Sequence, residues 1–172
     1  MNRRSAAGLA VLVCLLVGLG FSKRTRMPSS PVAARKGTAV TTRATGTFEV
    51  KLTPQPADFP QDPTLGRMTL EKQIHGDLEA TSKGQMLTGG TDVKGSGVYV
   101  AVERITGKLA GRSGSFLLQH TGIMTRGEPH LDIAIVPDSG TGELAGITGK
   151  MNIIITEGKH SYELNYSIIP AP

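Results

Sequence analysis

From Thr45 to Ile169, short β-rich runs are cut by glycine at close intervals, and no stretch sustains helical periodicity. That punctuation is the strongest constraint on what this 172-residue chain can become. Glycine reaches the positive φ that tight hairpin turns demand. A chain so divided folds into strands joined by short turns, and regularly spaced strands of this kind make a sandwich or a barrel.

The strands can be read in order. Thr47–Thr53 alternates, with Phe48, Val50 and Leu52 on one face. Pro54, Pro56, Pro60 and Pro63 then forbid a central strand and mark a loop. Met68, Leu70, Lys72 and Ile74 alternate with Thr69, Glu71, Gln73 and His75, and Gly76-Asp77 reads as a two-residue turn. Leu78 to about Leu87 returns, with Gly84 read as a bulge. Gly89 to Gly97 reads as a loop or broken strand. Val98–Leu109 and Ser113–Arg126 are the longest strands, joined at Gly111-Arg112. Gly127-Glu128-Pro129 turns the chain into His130–Pro137, and Asp138 to Gly142 is a turn-rich loop. Glu143–Thr156 follows, and Gly158-Lys159 leads to the closing strand His160–Ile169. About eight strands in next-neighbour antiparallel order predict an all-β fold, a closed antiparallel β-barrel spanning 45–170. Closure is favoured because it leaves no exposed edge.

Four segments, "GTFEVKL", "KQIHGDLEATSKGQML", "YVAVERITGKLAGRSGSFLLQHTG" and "VPDSGTGELAGITGKM", together resemble a bacterial domain family of unknown function with an allene oxide cyclase-like barrel. The resemblance covers roughly residues 45–168 and implies the same closed barrel. Plant cyclases of that shape hold an unstable fatty-acid epoxide in an apolar lumen and steer its ring closure. Similar barrels in polyketide pathways cyclise small molecules. No plant-cyclase motif is present here, so no catalytic residue is carried over.

Ahead of the domain, Arg3 and Arg4 precede the uncharged run Ala6–Phe21, the shape of a secretory n-region and h-region. Residues 1–26 therefore read as a signal-like or signal-anchor leader, and 27–44 as a flexible linker rich in Pro, Ser, Ala and Thr. The protein is expected to be exported or membrane-anchored, touching a membrane through the leader. Translation from Met27 would make it cytoplasmic, and a lipoprotein at Cys14 is a third reading.

The formal charge of +5 belongs to that leader and linker. Eight of the 19 Lys and Arg precede residue 44, and the remaining 11 face all 14 Asp and Glu, leaving about −3 beyond it. A nucleic-acid-binding domain would keep its own basic patch, so no nucleic-acid partner is expected. Cys14 is the only cysteine, which excludes an intramolecular disulfide and a thiolate nucleophile in the domain. The four histidines show no ligand spacing, and no cofactor or metal is expected.

With Gly111-Arg112 as the turn, Glu103 faces His120 across the hairpin. The two read as a catalytic pair if their face points into the lumen. They read as a surface ion pair worth under about 1 kcal/mol if it points out. The same face carries Tyr99, Phe116, Leu118 and Met124, the candidate ligand wall. His75 beside its turn and Glu79, set opposite Ile74 by the same register, are further candidates. Three functions follow: a barrel binding an apolar or amphipathic small molecule, a cyclase or isomerase using that cavity, or a structural, homo-oligomerising module with a filled core.

Overall fold

The computed structural model describes residues 40–169; the leader and residues 27–39 of the linker reading lie outside them, while Thr42–Ala44 at its end belong to the first strand, with Ala44 buried against the core. Nine strands follow one another with no helix among the described residues. They are β1 (Thr42–Pro54), β2 (Leu65–Gly76), β3 (Leu78–Gly90), β4 (Gly97–Leu109), β5 (Arg112–Thr125), β6 (Glu128–Ile135), β7 (Thr141–Gly142), β8 (Ile147–Thr156) and β9 (Lys159–Ile168). All pairings are antiparallel. β1 pairs with β2 on one side and with β9 on the other, so eight strands close into a barrel. The two-residue β7 is an extra piece laid against β5.

Three hairpin turns show a common geometry. Ala110-Gly111, Arg126-Gly127 and Glu157-Gly158 each take positive φ at both positions. This is the type I′ turn, whose twist matches that of the strands it joins. The glycine is its second residue, so the β4–β5 turn is Ala110-Gly111 and Leu109 pairs with Arg112. The turn read at Gly111-Arg112 is thus one residue late. A two-residue turn moved by one position slides the register by two residues, and each side chain stays on its face. Glu103 now lies opposite Leu118, and His120 opposite Ala101.

The β2–β3 connection errs by a different parity. Ile74 pairs with Ala80, so three residues, Gly76 to Leu78, bend between His75 and Glu79. That single extra residue turns Glu79 to the outer wall. Gly84 makes no bulge, for the ladder runs through it on both sides. It opposes Glu103, and a Cβ there would lie 2.6 Å from the glutamate's Cβ. The missing side chain is what gives Glu103 its room.

Even-numbered residues of β1, β2, β3, β5 and β9 and odd-numbered residues of β4, β6 and β8 point inward. At the end carrying the β2–β3 and β4–β5 turns, Leu78, Leu109, Phe116, Ile147, Tyr162 and Leu164 fill the lumen and are fully buried. Tyr162 also fastens the chain there. Its hydroxyl accepts the Leu78 N–H at 2.9 Å and donates to the His75 carbonyl at 3.4 Å. Tyr162→Phe should cost about 1–3 kcal/mol, the price of an orphaned buried N–H, measured as a lowered urea midpoint at unchanged slope.

The opposite end carries the β1–β2 and β3–β4 loops, and there the inward face stays open to water. Leu52, Met124 and Ile155 point inward yet are 47%, 41% and 63% exposed. Met68, Met86 and Tyr99, on the inward face of the same half, are only partly buried. One end of the barrel is stoppered, and at the other inward-facing side chains reach water.

Candidate functional site

Between the two ends the interior is ionic. Glu103, projecting inward from β4, is 1% exposed, and its carboxylate accepts three hydrogen bonds from three other strands. Lys72 of β2 donates from Nζ to Oε1 at 2.7 Å. His120 Nε2 of β5 meets the same oxygen at 2.8 Å, and Ser82 Oγ of β3 donates to Oε2 at 2.7 Å. All four residues are buried, and no buried side-chain nitrogen or oxygen among the described residues lacks a partner.

The cluster continues across the lumen through aromatic rings. The Lys72 ammonium sits 4.9 Å from the centroid of Phe48 on β1, a cation–π contact. Phe48 in turn lies 5.1 Å from the ring of His160 on β9. Lys72 carries three N–H donors, and Glu103 is its one hydrogen-bond acceptor among the described residues.

Burial alone would push the Glu103 carboxyl up. The His120 hydrogen bond, the Lys72 and His120 charges and the Lys72 hydrogen bond outweigh it and bring the group down to about 2. A carboxylate held so firmly is a poor proton acceptor at neutral pH. It holds His120 by a hydrogen bond and offsets the Lys72 charge. Nearer the open end, burial raises the Tyr99 phenol, and the Glu103 charge raises it further.

The residues expected from sequence fall into four places. Glu103 and His120 meet, as cross-strand diagonal neighbours instead of direct opposites. Phe116 and Leu118 lie in the stoppered half, fully buried. Tyr99 lies on the inward face opposite Gly122, where a Cβ would run into the tyrosine ring, and Met124 stands at the rim opposite Gly97. His75 and Glu79 sit together on the outer wall, Nδ1 to Oε2 at 3.2 Å, both exposed. The Gly76 N–H and then His75 hold the Glu79 carboxyl below its usual range, a local turn interaction outside the lumen. Among the described residues, no three His, Cys, Asp or Glu gather to hold a metal ion.

Sequence reasoning missed Lys72 and Ser82. The signal was present: Lys72 occupies an inward step in the alternation Met68, Leu70, Lys72, Ile74. A charged residue in an apolar row needs a buried partner. Ser82 follows Leu78 and Ala80 in the same way on β3.

A family model described as "Protein of unknown function (DUF3224)" matches residues 44–166. The chain is also similar to a protein with unknown function from that family in Shewanella oneidensis MR-1, whose crystal structure was solved at 1.84 Å resolution. The two are 51% identical, with a TM-score of 0.73, over 77% of this chain and 100% of the other. No curated protein matches the chain. The likeness to cyclase barrels expected from sequence is carried by neither match.

Proposed function

Since the chain belongs to the DUF3224 family, whose description names no activity, its own geometry must supply the reading, and we propose that the domain binds a small amphipathic molecule in the open half of the barrel. One observation carries this. Inward-facing apolar side chains at the loop end remain in contact with water, beyond a buried ionic cluster. Pockets that take small molecules combine apolar walls with a few placed polar groups. Here Met68, Met86 and Ile153 would take the apolar body. The uncommitted N–H donors of Lys72 would take an oxygen acceptor. In a cyclase or isomerase version of the same site, His120 would act as the base with Glu103 orienting it.

The test uses the full chain and the fluorescent probe 1-anilinonaphthalene-8-sulfonate, followed by mass spectrometry of lipids and metabolites extracted from the purified protein. Saturable one-to-one binding is expected. Met86→Lys on the inward face should weaken it at least about tenfold, or about 1.4 kcal/mol. Val102→Arg on the outer wall should leave it unchanged. Equal binding by wild type and Met86→Lys would remove the lumen from consideration.

A further inference from the structure

The outer wall carries a second feature, independent of what the lumen holds. Antiparallel strands with one solvated face alternate apolar-in and polar-out, and most of this barrel obeys. β1 turns Thr45, Thr47, Glu49 and Lys51 outward, and β9 turns out Ser161, Glu163 and Asn165. β4 does not. Its outward residues are Val98, Val100 and Val102, each about half exposed, while its inward row holds Tyr99, Ala101 and Glu103. Leu87 of β3 lies opposite Val100, and Ile123 of β5 opposite Val98, at 58% and 46% exposure. The five side chains form one apolar patch of roughly 400 Å², within the size range of the largest patches on monomers, which are often functional. A shallow groove of about 720 Å³ crosses the same three strands.

We propose that this β3–β4–β5 face packs against the same face of a second copy of the chain. β3, β4 and β5 are each paired on both sides, so this wall offers a face and no strand edge, and packing here is face-on. With its rim of Gln85, Gln119 and Thr121, the face approaches the roughly 600 Å² per partner at the low end of stable interfaces. Those amides and the hydroxyl call for hydrogen-bonding partners, which another copy supplies and lipid tails do not. The charges set the orientation. Lys83 and Arg104 are cross-strand neighbours at one end of the groove, and no acidic side chain lines it. Stacking the copies with strands parallel would bring these cations together. A two-fold axis across the strands separates them and lays β4 antiparallel over its counterpart.

Sedimentation velocity on the full chain, up to about 100 μM, reads the oligomeric state, which must depend on concentration if copies associate. A dimer is expected, dissociating at least about tenfold more readily in Val100→Arg and in Val102→Arg. Both positions are exposed, and unchanged circular dichroism and melting would show the fold intact. In a Cys14→Ser background, which leaves no other cysteine, Val102→Cys should couple to its partner through a short bismaleimide. Asn165→Cys on the far wall should not. A monomer at every concentration overturns the proposal. So does a dimer untouched by both arginine variants, which would place the contact elsewhere. Monomeric protein that sediments with phosphatidylglycerol vesicles, and loses this in Val102→Arg, would also overturn it and assign the face to a lipid surface.

Discussion

Glu103→Gln is expected to destabilise the barrel by about 3–5 kcal/mol, the cost of leaving one member of a buried ion pair without its counter-charge. The uncompensated charge would be the Lys72 ammonium, 7% exposed and held beside Phe48. Lys72→Met should cost less, because His120 and Ser82 still bond the carboxylate. The double variant should be more stable than Glu103→Gln alone, since a neutral pair replaces a charged one. Urea unfolding of the four proteins closes the cycle. Strictly additive losses would show that the ion pair has no energetic identity of its own.

Acid provides the same experiment without mutation. The Glu103 carboxyl titrates at about 2 in the folded protein, against an ordinary value of 4.5. A depressed folded-state value means the stabilisation is complete above the unfolded pKa and disappears as pH falls toward the folded one. The wild type should therefore lose on the order of 3 kcal/mol between about pH 4.5 and pH 2 through this group. Glu103→Gln should lack that component, so the two stability curves converge in acid.

Gly46→Ala is expected to be among the most damaging single-methyl changes in the described barrel. Gly46 is an inward position of β1, between Gly76 of β2 and Tyr162 of β9. An added Cβ would overlap the His75 carbonyl oxygen and come within 2.7 Å of the Tyr162 hydroxyl. The first obstacle is backbone in a ladder and cannot swing aside. The second is the group that stoppers the barrel. A loss of about 3 kcal/mol or more follows from forced overpacking of this kind. Gly111→Ala makes an informative comparison. It has open space around it and a φ of 82°, so its cost isolates left-handed backbone strain. If both variants melt together, steric contact at Gly46 is not what limits it.

The sequence made the strands legible because their alternation is written in residue type. Phe48, Val50 and Leu52 against Thr47, Glu49 and Lys51 leave little choice of face. It made the turns legible only approximately. Nothing in the residue type of Ala110 announces a φ of 48°, so the glycine alone marked the bend and the turn was placed one residue late. That error left the Glu103–His120 contact intact because it preserved parity. The Gly76 bend reversed the face of Glu79 because it did not. Lys72 stayed hidden for a different reason. Lysine ordinarily belongs to the surface, and only the inward curl of β2–β3–β4 over Gly84 brings a carboxylate from two strands away to meet it.

The pairing of Thr42 with Tyr166 has a consequence for how the protein comes into being. A ribosome delivers the chain from its N-terminus, so β1 emerges first and its second neighbour, β9, emerges last. Until those final residues appear, one side of β1 is an unpaired edge and the ring cannot close. No nascent length short of β9 can close the ring, and each lacks the Tyr162 stopper. Closure is thus a single late event that joins the two ends of the domain. Loss of the last strand at any stage of synthesis or by trimming would return the barrel to an adhesive sheet.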